Sequence, residues 1–210
     1  MKLDIKIKKV TADETNIFLK LLNFRYKYYV EKLKYIGASD DMDLLKLEYD
    51  KYDKNAIHYY INNGGDEIIA YARVIKNSMP KPIIDKTTVG NMNIIKNKKV
   101  TEISRLIISD EKRHTHILPM LVVELYKYLI SSDTDIVLID TFVGSDSYKI
   151  FKKLGFEDLD YLYNDGEYKV TKKSSILYLD LLEFQYKLKY RPEKCHKSFE
   201  RLLILVEGRK

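Results

Sequence analysis

Thr101-Glu102-Ile103-Ser104-Arg105 lies inside the run Lys99 to Ser109, Lys-Val-Thr-Glu-Ile-Ser-Arg-Leu-Ile-Ile-Ser, whose apolar residues read as a core strand. A strand that sets Glu and Arg among Val, Ile and Leu must pair them or use them, because unpaired buried charge is expensive. About fifty residues earlier comes Leu47-Glu48-Tyr49-Asp50-Lys51-Tyr52-Asp53, with two aspartates three apart and no strand alternation. Together the two stretches suggest a site that holds a small cationic substrate and removes a proton from it.

The elements around that strand follow from pattern. Leu3 to Val10 alternates as a strand, and a helix starts near Thr11-Ala12-Asp13-Glu14 and runs to about Tyr35. Asp40 to Asp53 is expected as loop with short helical turns. His58 to Ile61 and Glu67 to Lys76 form a hairpin around Asn62-Asn63-Gly64-Gly65-Asp66, and a polar loop with Pro80 and Pro82 follows. Beyond the central strand come a helix from Ile117 to Ile130, an apolar strand from Asp135 to Phe142 and a short helix from Ser145 to Leu154. Strands near Glu157 to Tyr163 and Ser174 to Leu181 complete the pattern. The order β-α-β-β-β-α-β-α-β-β specifies an α/β (α+β) domain with a mixed, mostly antiparallel sheet flanked by helices.

Composition bounds the rest. The 210 residues fit one domain with a tail, here residues 1–181 and a basic extension 182–210. From Lys187 to Lys210 there are eight basic and three acidic residues, with Phe199, Leu202, Leu203 and Leu205 in a helical stripe. This is expected to be a helix docked on the core or a surface for an acidic partner. No run of eighteen apolar residues and no signal-peptide core occur, and the single cysteine, Cys195, excludes an internal disulfide. A cytoplasmic location fits. The net charge of +6 favours acidic partners, but acids interspersed along the chain argue against nucleic acid. His114 and His116 beside Asp110 and Glu111 are too poor in further ligands for metal, and no Gly-x-Ser-x-Gly elbow supports a hydrolase.

The element order, with Phe151-Lys152-Lys153-Leu154-Gly155-Phe156 closing the short helix, resembles the GNAT acyltransferase fold. The polar residues narrow the likeness. Arg25 is followed by Tyr29 and Tyr35, then Asp50 and Asp53, Arg73, and Glu102-Ile103-Ser104-Arg105. In order and spacing over residues 1–181 this resembles the acyl-homoserine-lactone (autoinducer) synthases of quorum sensing and the related N-acyl amino acid synthases. Tyr29 and Tyr35 stand where the family usually has Phe and Trp, and the segment from Tyr35 to Asp50 is longer than usual.

The resemblance implies an N-acyltransferase that moves a fatty acyl group from a thioester to the amine of a small amino-acid-like acceptor. S-adenosylmethionine or an ordinary amino acid would be that acceptor, and no tightly bound cofactor is implied. A catalytically inactive ligand-binding module is the alternative from another class. Glu102 is the candidate base, since an α-amine with a pKa near ~8 is mostly ammonium at neutral pH. Its plain alternative is a structural ion pair with Arg73 or Arg105. Asp50 and Asp53 would attract the ammonium or sulfonium, Arg25 would fork onto a substrate carboxylate, and Tyr29 and Tyr35 would face a sulfonium or simply fill the core. Arg73 and Arg105 would hold the acids in position. Ser104 would help bind substrate or satisfy a strand neighbour.

On the donor side, GNAT enzymes that use coenzyme A commonly carry a Gly-rich pyrophosphate loop before the helix that follows the central strand. Here that turn reads Arg113-His114-Thr115-His116-Ile117-Leu118, with an Arg but no Gly. An acyl-carrier-protein donor, acidic against a +6 partner, is therefore expected ahead of acyl-CoA. Arg113 and Phe142 are the candidate donor-binding residues. Lys149, Lys152 and Lys153 form either a docking face or an ordinary solvated helix face. The strand Ile136 to Phe142 and the helix Ile117 to Ile130 would wall the acyl tunnel.

Overall fold

Alternating side chains make one sheet with two differently covered faces. The computed structural model describes residues 7–76, 80–113, 115–166, 169 and 172–199. Strands β1 (Ile7–Val10), β2 (Ile57–Asn62), β3 (Ile68–Ile75), β4 (Val100–Ile108), β5 (Ile136–Phe142), β6 (Glu157–Tyr163) and β7 (Ser174–Asp180) form a seven-stranded sheet in the order β1-β2-β3-β4-β5-β7-β6. Every neighbouring pair is antiparallel except β4 and β5.

Helix α4 (Ile117–Ser131), with Pro119 in its first turn, packs on one face against Tyr59, Ile61, Ala72, Val137 and Ile139. Helix α5 (Asp146–Lys153) is capped by the Ser145 hydroxyl and stops at Gly155, whose φ of +95° a side chain would strain. Helix α6 (Leu181–Tyr190) starts directly after β7. It sends Phe184 and Leu188 into this core, where Phe199 joins them.

The opposite face is shared. Helix α1 (Thr15–Tyr26) covers the β1–β3 half through Leu21 and Phe24 against Val10, Tyr60, Tyr71 and Ile107. Helix α3 (Pro82–Lys86) covers the β4–β5 half, where Ile83 meets Val100, Ile136 and Leu138.

Differences from the sequence expectation are local. The first long helix loses α-geometry at Tyr26 and continues as a π-helical turn, Lys27–Lys32, so Tyr35 lies outside it. Helix α3 falls where a plain loop was expected, with Pro82 serving as its first residue. The acidic segment holds helix α2 (Asp40–Leu45), capped by Ser39, and a 3-10 turn at Asp53–Asn55. The first half of the expected β1, His114 and the stripe beyond Phe199 lie outside the described residues.

Two irregularities of β4 create the site. It pairs with β5 only at Val100↔Ile136, Thr101↔Val137 and Glu102↔Leu138, after which the strands part. Against β3 the register slips between Tyr71↔Ile107 and Arg73↔Ser104, and Arg105 takes a φ of +56° at this bulge. A bulged strand leaving its parallel neighbour opens a cleft edged by backbone groups without ladder partners.

Candidate active site

Sheet register brings the polar residues together. His58 on β2 pairs with Arg73 on β3, which pairs with Ser104 on β4, so the three form a row across the face under α1 and α3. The segment before the Asp53 turn lies against this row. Backbone of Glu48 donates to the Leu22 carbonyl of α1 (3.1 Å), and the Asp50 N–H donates to Asp53 Oδ2 (2.8 Å).

The result is a buried network of three guanidiniums and three carboxylates. Arg25 donates to Glu48 and Asp53, and its Nη1 reaches the Tyr71 hydroxyl (3.3 Å). Arg73 donates through Nη1 to Asp50 Oδ1 (2.6 Å) and Asp53 Oδ1 (2.9 Å), and through Nε to Ser104 Oγ (2.9 Å). Arg105 donates to Glu48 Oε1 (3.1 Å) and, more weakly, to Asp50 Oδ2 (3.4 Å). The formal charges cancel, as burial demands. Burial pushes all three carboxyls upward, but the arginines outweigh it. Asp53, between Arg25 and Arg73, is held well below the usual carboxylate range, and Glu48 and Asp50 are lowered too.

Behind the network, His58 bridges the Tyr71 hydroxyl (2.7 Å) and the Asp53 carbonyl (3.0 Å). A carbonyl only accepts, so neutral His58 carries its proton on Nε2 and accepts from Tyr71. Burial pushes its pKa down to about 4.

This geometry reassigns several sequence expectations. The Arg25 side chain is fully enclosed, and its fork is taken by Glu48 and Asp53 in place of the substrate carboxylate expected for it. Asp53 is likewise spent on Arg25 and Arg73, whereas Asp50 keeps some exposure at the cleft. The Tyr29 ring faces the Arg105 guanidinium at 5.5 Å, so a protein cation occupies the face expected for a sulfonium. Tyr35 meets Phe142 edge-on at 5.2 Å, joining the α1 side to the end of β5. Arg113 is half exposed and pairs with Asp110 (3.3 Å), on the turn before α4. Glu48 belongs to the constellation although only the Asp-x-x-Asp spacing stood out in its segment; Tyr71 and His58 carried no sequence signal beyond their place in strands.

Glu102 stands apart from the arginines. It is fully buried beneath α3 and accepts from the backbone N–H groups of Ile83 (3.0 Å) and Ile84 (3.3 Å). Burial pushes its pKa up to about 8, with Asp140 adding to the rise against the opposing N–H groups and Lys81. The ion pair with Arg73 or Arg105 considered from sequence is absent among the described contacts; those arginines hold Glu48, Asp50 and Asp53. A small cleft opens beside Glu102, lined among others by Asp50, Arg73, Ser104, Arg105, Asp140 and Tyr163.

Comparison with known proteins agrees with this architecture. Residues 24–123 match the family model described as acetyltransferase (GNAT) domain. The chain has the GNAT acyltransferase fold. Among similar solved structures is the CoA-dependent acyl-homoserine lactone synthase MesI (TM-score 0.63, 14% identity, covering 94% of this chain and 95% of that one). FeeM, an N-acyl amino acid synthase from uncultured soil microbes, aligns with TM-score 0.60 at 13% identity, over 87% of this chain and 95% of its own. An N-acetyltransferase from Staphylococcus aureus Mu50 aligns at 0.56 and 16% identity, over 85% and 98%. No curated protein matches.

Proposed function

We propose that the protein is an N-acyltransferase that moves a fatty acyl group from a thioester to the amine of a small amino-acid-like acceptor. The observation that carries this is Glu102: a buried carboxyl with a pKa of about 8, set where β4 and β5 part and beside a cleft edged by a neutralised charge network. A base whose pKa matches that of an α-amine, roughly ~8, exchanges a proton with it near neutral pH at little cost. Parted strands leave backbone donors that can hold the thioester carbonyl and stabilise its developing oxyanion. The amine nitrogen bonds to the carbonyl carbon, the carbon–sulfur bond breaks, and the thiolate takes up a proton.

In this reading Arg25, Arg73 and Arg105 shape the acceptor wall by fixing Glu48, Asp50 and Asp53, and Ser104 sits where substrate meets that wall. Autoinducer synthesis from S-adenosylmethionine fits the order and spacing of the motif. The N-acyl amino acid alternative gains from one observation: the Tyr29 ring is already covered by Arg105, which suits an acceptor without a sulfonium. For the donor, the turn before α4 lacks the glycines that bring backbone close to a pyrophosphate, which supports acyl-carrier-protein; Arg113 and Phe142 would meet the donor. Similar structures described as CoA-dependent make acyl-CoA the necessary second donor in any assay.

The test is to incubate the protein with acyl-carrier-protein or acyl-CoA thioesters and with S-adenosylmethionine or mixed amino acids, then weigh the products. Release of methylthioadenosine marks lactone synthesis, and an acylated amino acid without it marks the synthase cousin. No product with any pairing favours a ligand-binding module.

A further inference from the structure

Asp140 is a carboxylate of the cleft that makes no ion pair among the described contacts. It follows Leu138 on the same face of β5, and Leu138 is the partner of Glu102, so the two acids lie on the same face of the sheet where the strands part. Glu102 is fully enclosed by α3, whereas Asp140 lines the open cleft with Ser104 and Arg105. Among the described residues, the Tyr163 hydroxyl of β6 is the hydrogen-bond donor to Asp140, at 3.0 Å to Oδ2. The other charged groups around it are Glu102 and Arg105 on β4, Lys86 on α3 and Asp165 after β6. Lys86 is engaged by Asp165 (3.1 Å), and Arg105 by Glu48 and Asp50. Both also act on Asp140 through their charge, but among the described contacts neither forms an ion pair with it, and an incoming ammonium would be the natural partner of this carboxylate.

We propose that Asp140 receives the acceptor's ammonium group at the cleft and is the first to take its proton, ahead of Glu102, the buried base of the reaction. This deepens the N-acyltransferase reading and rests on it. The ammonium gives one proton to the Asp140 carboxylate, directly or through one water. The free amine attacks the thioester carbon, the carbon–nitrogen bond forms, and the thiol leaves with the second proton lost from nitrogen. One proton overall returns from Asp140 to solvent. Burial raises Asp140 and Asp165 raises it further, while the Tyr163 hydrogen bond and the charges of Arg105 and Lys86 lower it.

The experiment measures thiol release against pH for wild type, Asp140→Asn and Tyr163→Phe, each checked for fold by circular dichroism. The expected result for Asp140→Asn is a fall of about 10²-fold or more in kcat/KM for the acceptor, with KM for the thioester unchanged. In Tyr163→Phe the rising limb of the profile should move up by about one pH unit, since a hydrogen bond favouring the carboxylate is lost. Wild-type acceptor kinetics in Asp140→Asn, or an unmoved limb in Tyr163→Phe, overturn the inference. If wild type releases no thiol with any donor, the acyltransferase reading fails, and calorimetry with S-adenosylmethionine decides on Asp140 separately. Binding by wild type that is lost in Asp140→Asn upholds the ammonium site; equal binding, or none by wild type, rejects it.

Discussion

Replacing Asp53 by Asn removes one charge from the centre of the buried network while keeping its shape. Asp53 accepts from Arg25 and Arg73 and from the Asp50 N–H, and its side chain is only 4% exposed. The variant leaves three guanidiniums against two carboxylates in a largely buried network. Removing one partner of a buried ion pair costs about 3–5 kcal/mol. For a chain of this length each kcal/mol moves Tm by roughly 2–4 °C, so Asp53→Asn should melt about 6–20 °C lower. Thermal unfolding followed by circular dichroism reads this directly. The linkage has a definite sign: the folded-state pKa of Asp53 is depressed, so its stabilisation is present above the unfolded value, near ~4, and is lost as pH falls below that. Wild type should therefore lose its advantage over Asp53→Asn in acid. A variant within about 1 kcal/mol of wild type at pH 7 would refute the view that these charges are mutually dependent.

Three further outcomes follow from the same geometry. Glu102→Gln should lower turnover by about 10²–10⁴-fold with the fold intact, read by steady-state kinetics and circular dichroism. Because the folded pKa of Glu102 is raised to about 8, wild type loses stability as pH climbs from the unfolded value towards 8, and the Gln variant should gain in Tm relative to wild type across that window. His58 has the opposite linkage: its folded pKa is lowered to about 4, so wild type should lose up to about 3 kcal/mol as pH falls from ~6.5 to 4, and the slope of Tm against pH there should flatten in His58→Gln. Arg73→Met should destabilise the protein by about 3–5 kcal/mol, because Asp50 and Asp53 lose a shared donor; urea unfolding measures it.

The architecture was legible because periodicity and turn chemistry agreed along most of the chain. The Asn62–Asp66 turn announced the β2–β3 hairpin, and the nearly continuous apolar run of β5 announced a strand buried on both faces. Helix α3 was hidden because Pro80 and Pro82 read as loop, although a proline is well suited to a first helical turn. The change to π-helical geometry after Tyr26, in the turn that places Tyr29 over Arg105, had no signal in local propensity. Arg25, Asp50, Asp53, Arg73 and Arg105 of the charge network could be named from spacing, but their partners could not. Arg25 meets Glu48 and Asp53 over 23 and 28 residues, and Arg105 meets Glu48 over 57, so only the bulge and register of β4 decide who pairs with whom. Asp140 passed as one polar residue in an apolar strand. Its importance lies in the parting of β4 from β5, a property of pairing rather than composition.

Mass spectrometry of the products from an acyl thioester and an amine acceptor is the decisive measurement for N-acyl transfer. Wild type should form an N-acylated acceptor in step with free thiol, and Glu102→Gln little of either. Acyl thioester left intact with every donor and acceptor pairing, or equal product from Glu102→Gln, would contradict it.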